Sequence, residues 1–299
     1  MAVEGYVLLP ERGVIALGGA EMVPFLQGLT SNDLAKISEE HAGYGALLTP
    51  QGKFLFDFVI LRRGAALLLD VERERLAALV QRLTLYRLRS KVTLDDASER
   101  FAIAAAIGDG IAARFDLPEE AGACRPLEDG LACVDPRLAR LGVRLVLPAE
   151  RLEAKLRELG LTPLEWEIYE RARLALGVPD GSRDLVIERS TLLESGFEEL
   201  GGVDFAKGCF VGQELTARMK YRGLVRKRLL PVILKGPRPE PGAIIRLGER
   251  EAGEMRSSVD GHGLALLRLD RIAEAEQAGT ALVAGPTEVV PVKPDWANF

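Results

Sequence analysis

The chain has 299 residues, of which 47% are hydrophobic and 28% charged, with a net charge of −5 at pH 7. That suits one large domain or two to three small ones with ample core, and its negative balance argues against nonspecific nucleic-acid binding by the whole molecule. No uncharged apolar run approaches the ~20 residues of a membrane span. Three cysteines (Cys124, Cys133, Cys209) without a CxxC pair disfavour both a disulfide framework and a self-contained zinc site. Only two histidines are available for a His-rich metal centre, and the first ten residues carry no basic-then-apolar leader pattern. A cytoplasmic, reducing location is expected, with no membrane partner and a monomeric chain.

Val7–Leu9 and Val14–Leu17 read as short strands around the Pro10–Gly13 turn. Glu21–Leu29 has helical spacing, and Thr30-Ser31-Asn32-Asp33 supplies capping chemistry that breaks it. Tyr44–Leu48 and Lys53–Leu61 read as strands joined by the turn Thr49–Gly52. On the second strand, Phe54, Phe56, Phe58 and Ile60 share one face and Leu55, Asp57 and Val59 the other. Asp57 is thus a lone carboxylate on an apolar face. Either it bonds a neighbouring loop or sits at an edge, or it anchors a polar heterocycle, since a buried carboxylate needs donors.

Ala65–Leu69 is a further strand and Glu72–Leu85 an amphipathic helix. Arg82, Arg87, Arg89 and Lys91 follow as a cationic cluster, each readable as part of a solvated helix end. Phe101–Ile107 is an apolar strand, and the stretch from there to Pro136 reads as loop, with Cys124 and Cys133 structural. Leu141–Leu147 is a strand and Ala149–Leu159 a helix stopped at Gly160. In the helix Glu165–Leu176, the residues Trp166, Tyr169 and Arg173 share a face. Core packing and stacking on a flat heterocycle are both open to Tyr169.

Residues 177–202 form a long, turn-rich connection. It delivers the chain to Lys207-Gly208-Cys209-Phe210-Val211-Gly212-Gln213-Glu214, which continues to Arg228 with six cations after Glu214 and no acid. Two glycines bracket a cysteine that precedes a helix start, and cations follow, the surroundings of a reactive or metal-ligating thiolate. A buried structural cysteine is the bland alternative. Beyond Arg228, short apolar strands alternate with Gly/Pro/Asp turns, which argues for a small antiparallel barrel over 229–299 after a body over 1–228.

Lys-Gly-Cys-Phe-x-Gly-Gln-Glu, followed by Ala217-Arg218 and Arg222-Gly223, resembles the signature of the YgfZ-type folate-binding proteins. These are relatives of the glycine-cleavage aminomethyltransferase (T-protein) and include a mitochondrial folate-fold factor of iron–sulfur cluster assembly. Gln27-Gly28-Leu29-Thr30-x-x-Asp33 and Leu88-Arg89-Ser90-Lys91-Val92 are similar to further family motifs. The resemblance implies an α+β folate-binding body of two subdomains plus the C-terminal barrel. It also implies tetrahydrofolate as ligand, with Asp57 and Tyr169 lining the pterin site. Lys207, Gln213, Glu214 and Arg218 would bind beside them, Lys207 and Arg218 favouring the thiolate and an anionic folate tail. Cys209 would be the key thiol, redox-active or a ligand to an iron–sulfur cluster shared with an A-type carrier protein. One departure stands out: the T-protein pattern Arg-Leu-Glu-Ala-Gly becomes Arg173-Leu174-Ala175-Leu176-Gly177, without the pterin-binding glutamate. An accessory role in cluster assembly or repair is therefore expected ahead of the alternative, aminomethyl transfer to tetrahydrofolate.

Overall fold

A computed structural model describes residues 4–299. The chain opens with strands β1 (Gly5–Leu8) and β2 (Arg12–Gly18), helix α1 (Met22–Gln27), and strands β3 (Gly43–Leu48), β4 (Phe54–Arg63) and β5 (Ala66–Glu72). Helix α2 (Leu76–Arg87) follows, then strands β6 (Thr93–Asp96), β7 (Phe101–Ile107), β8 (Cys124–Leu127), β9 (Gly130–Val134) and β10 (Val143–Pro148). Four helices come next: α3 (Leu152–Glu158), α4 (Trp166–Leu176), α5 (Gly181–Asp184) and α6 (Gln213–Tyr221). The chain ends with β11 (Lys227–Lys235), β12 (Ile244–Leu247), β13 (Arg250–Val259), β14 (His262–Arg268), α7 (Leu269–Ala278), β15 (Leu282–Ala284) and β16 (Thr287–Pro291).

Two compact units result. The first takes the residues up to Thr49, Leu55–Tyr169 and Gly201–Val211; the second takes Pro50–Phe54, Glu170–Leu200 and Gly212–Phe299. In the first unit, two five-stranded sheets run β1-β7-β10-β9-β8 and β3-β4-β5-β2-β6. Leu76, Leu79 and Leu83 of α2 recur at helical spacing and pack on Ile15, Leu17, Phe58 and Leu69 of the second sheet. Leu152 and Leu156 of α3 do the same against Ala104, Leu145 and Leu147 of the first. Every residue of β4 from Phe54 to Leu61 is buried, so its alternation separates two covered faces rather than a wet one from a dry one.

The segment expected to be loop, 108–136, contains the hairpin β8–β9, paired from Cys124↔Cys133 to Leu127↔Gly130. Its strands are four and five residues long and one carries a proline, too short for periodicity to be visible.

In the second unit, a closed barrel runs β11-β14-β13-β12-β15-β16. The α+β body and the antiparallel barrel expected from the sequence are what the chain forms. Helix α7 was not foreseen. Its Ile272 and Ala275 pack on the barrel core, and Gly279, at φ +61°, ends it. The expected boundary at 228/229 falls inside β11.

Candidate functional site

The loop carrying Cys209 is fastened to the chain around the end of α1. Ser31 Oγ donates to Gly202 O at 2.6 Å, Asn32 Nδ2 to Gly201 O at 2.8 Å, and Val211 N to Gly28 O at 3.1 Å. Lys36 Nζ pairs with Asp204 at 2.6 Å, and that hydrogen bond is the main cause holding the Asp204 carboxyl below its ordinary range. Lys207 reaches inward, its ammonium donating at 2.5 Å to the carbonyls of both Gln27 and Thr30. A cation at the carbonyl end of a helix meets both the orphan acceptors and the favourable pole of the dipole. Lys207 also lies 5.1 Å from the ring centroid of Phe210, itself buried. The residues on either side of the Gly208–Cys209 pair are thus anchored inward, and Cys209 is exposed. Gly208 has φ +91° with open space around its missing Cβ, so backbone conformation alone requires glycine there.

This gives Lys207 a different task from the one the resemblance implies: it holds the loop. Burial pushes its pKa down to about 8, against the upward pull of Asp33 and Asp204. Between about pH 8 and the unfolded value near 10.4, the folded chain has released this proton and the unfolded chain has not. Stability from this group therefore rises with pH across that window. The urea midpoint of the wild type should climb relative to Lys207→Met between pH 8 and 10, and parallel profiles would refute the depression of this pKa by burial.

Gln213, Glu214 and Arg218 lie on α6 in the second unit. Glu214 and Arg218 pair one turn apart on its surface. Gly52, in the turn before β4, is held at φ +76° with Gly212 O and Leu215 Cβ each 2.7 Å from where a Cβ would stand. The start of α6 and that turn are therefore packed too closely for any other residue at 52.

Asp57 and Tyr169 belong to a buried charged layer of the first unit that sequence reading missed. Tyr44 on β3 donates to Asp57 Oδ2 at 2.8 Å. Burial, then the nearby Asp57 charge, raises the Tyr44 pKa far above normal, so it remains a donor. Arg137 lies 5.8 Å from the Tyr44 ring centroid, pairs with Asp135 at 2.7 Å, and donates to the Tyr169 hydroxyl at 3.3 Å. Arg144 on β10 bridges Asp135 at 3.5 Å and Asp70 on β5, and Arg12 on β2 donates to Asp70 at 2.7 Å. Burial alone would push Asp70 and Asp135 up, but the arginines outweigh it and both carboxyls sit below their ordinary range. Asp57 and Tyr169 are each 5% exposed. Arg137 and Tyr44 are thus the links that bring them into one network.

In the second unit, Arg173 is fully buried. It pairs with Glu170 and Asp184 and donates to Val178 O and to Ser257 Oγ of β13. Its place on the Trp166–Tyr169 face reflects that structural task. Ala175, where the T-protein pattern has glutamate, is exposed.

Among the described residues, no group of three or more His, Cys, Asp or Glu is placed to hold a metal ion, and no helix is long and apolar enough to cross a membrane.

The family model of the CAF17 C-terminal β-barrel domain matches residues 226–299. The mitochondrial iron–sulfur cluster assembly factor IBA57 of Mus musculus is 33% identical over 320 residues, spanning 96% of this chain and 84% of that protein. The Homo sapiens IBA57 protein is also 33% identical, with 96% and 84% covered. Among solved structures, the glycine cleavage system aminomethyltransferase T of Bartonella henselae superposes with a TM-score of 0.78. It covers 99% of this chain and 87% of that one at 16% identity, a likeness of fold. The cytoplasmic location expected from the sequence is overturned, because these relatives are mitochondrial proteins. Free thiols indicate a reducing milieu but not which compartment supplies it.

Proposed function

This chain belongs to the IBA57 family of iron–sulfur cluster assembly factors, and we propose that it serves cluster assembly or repair through the Cys209 thiol. The observation that carries this reading is the exposed Cys209 on a loop whose neighbours Lys207 and Phe210 are fixed inward. A single thiolate cannot hold a cluster, which ordinarily takes four protein ligands. The cluster is cargo, and a partner must supply the remaining thiolates; an A-type carrier is the partner proposed. The exposed cations Lys220, Arg222 and Arg226, which follow the motif in the sequence, would draw an acidic surface of that partner.

Tetrahydrofolate is the proposed small-molecule ligand. The chemistry of Asp57 suits the amino edge of a pterin. It is a buried carboxyl group with one oxygen oriented by the Tyr44 hydroxyl. Tyr169 is an aromatic with its hydroxyl held by arginines, leaving the ring as its apolar surface. When bound, the folate would supply one-carbon carrier chemistry; the chain's own part is to orient the pterin. Ala175 offers no carboxylate for it, which favours the assembly role over aminomethyl transfer. Anaerobic calorimetric titration with tetrahydrofolate should give a dissociation constant of micromolar order, about −8 kcal/mol, weakened in Asp57→Ala. No detectable binding to the wild type would remove folate from the function and leave the Cys209 surface.

A further inference from the structure

We propose that Cys124 and Cys133 form a peroxide-responsive dithiol, converted to a cross-strand disulfide by a hydroperoxide that enters the cavity lined by Cys124. The two residues are direct partners in the β8–β9 hairpin. Antiparallel partners alternate between hydrogen-bonded pairs and closer, non-hydrogen-bonded pairs about 4.5 Å apart at Cα. Here the Cys124 N–H is directed away from Cys133, to Glu40 O at 2.8 Å, while Val134 N donates to Ala123 O at 2.8 Å. Cys124↔Cys133 is therefore the close kind. That separation lies at the near end of the Cα–Cα range of about 4.4–6.8 Å spanned by disulfides. The neighbouring Cys124 thiol, together with burial, raises the Cys133 pKa well above normal.

The two residues differ in setting. Cys133 is 0% exposed, whereas Cys124 lines a cavity of about 680 Å³ together with Glu40, His41, Leu117 and Ala123. Both cysteines are buried, Cys124 at 7% exposure, and a hydroperoxide entering the cavity would reach Cys124 before Cys133. The thiolate of Cys124 attacks the distal peroxide oxygen, giving a sulfenic acid and releasing the alcohol or, from hydrogen peroxide, water. Cys133 sulfur then displaces the sulfenic oxygen, which leaves as water with the Cys133 proton. Overall, two thiols are oxidised by two electrons to one disulfide, and one hydroperoxide is reduced to an alcohol and water. Cys209 lies in a different segment and takes no part.

The test uses the full chain carrying Cys209→Ala, which removes the exposed thiol. It is treated with stoichiometric hydrogen peroxide, unfolded in an alkylating reagent, and cut after Glu128 by glutamyl endopeptidase, between the two cysteines. The expected result is loss of both alkylatable thiols, a Cys124–Cys133 cross-linked peptide lighter by two hydrogens, and reversal by a thiol reductant. In the further variant Cys133→Ala, Cys124 should accumulate as a sulfenic acid trapped by dimedone. Two thiols still fully alkylatable after treatment, or a sulfenic acid on Cys133 instead of Cys124, would overturn the proposal.

Discussion

Cys209→Ser is expected to abolish complementation of a cluster-assembly defect while leaving the melting temperature within about one degree of the wild type. The side chain is exposed, and surface substitutions away from special features usually change stability by less than about 0.5 kcal/mol. Serine keeps size and polarity but is a poor iron ligand and no redox thiol, so the change isolates sulfur chemistry. The loop does not depend on this side chain either: Lys207, Phe210 and Val211 hold it through Gln27, Gly28 and Thr30. Loss of function with retained folding is thus the specific signature. Full rescue by the serine variant would take the thiol out of the mechanism.

The largest stability effect is expected at Asp70. Its carboxylate is fully buried and shared by Arg12 and Arg144, which link β2, β5 and β10. Asp70→Asn removes the carboxylate that Arg12 and Arg144 share and leaves Arg144 with the longer 3.5 Å contact to Asp135. Removing one partner of such a buried pair costs roughly 3–5 kcal/mol, because the remaining charge is uncompensated. A triple replacement of Arg12, Asp70 and Arg144 by apolar residues should recover much of that loss, since the intact network must also overcome its own desolvation. Acid unfolding gives a second readout. The depressed pKa of Asp70 and of Asp135 means their stabilisation is present above the unfolded value near 3.9 and is lost as pH falls below it. Asp70→Asn should therefore flatten the loss of stability below about pH 4. A urea midpoint shifted by the equivalent of less than 1 kcal/mol, with an unchanged acid limb, would refute this role.

The features legible in the sequence were those written locally. The β3–β4 hairpin, the alternation of β4 and the Cys209 motif each lie within one short continuous stretch of chain, so spacing and turn chemistry reveal them. The charged layer could not be read that way. Arg12 and Asp70 are 58 residues apart, and Asp70 and Arg144 are 74 apart, so their pairing is set by sheet topology. Arg144 alternates with Val143 and Leu145 on a strand, and nothing local distinguishes it from a solvated edge charge. Helix α7 did carry a signal, Leu269, Ile272 and Ala275 followed by Gly279, obscured by the strand rhythm on either side. For Lys207 the sequence indicated a cation beside a thiol. Only the fold reveals that its ammonium points at the end of α1.

The role of Cys209 is tested most directly by anaerobic mixing of this protein with a cluster-loaded A-type carrier, followed by size-exclusion chromatography with visible circular dichroism. The expected result is a cluster chromophore that coelutes with a heteromer of wild-type protein and carrier, and that is absent with Cys209→Ser. An identical coeluting chromophore with the serine variant would contradict it.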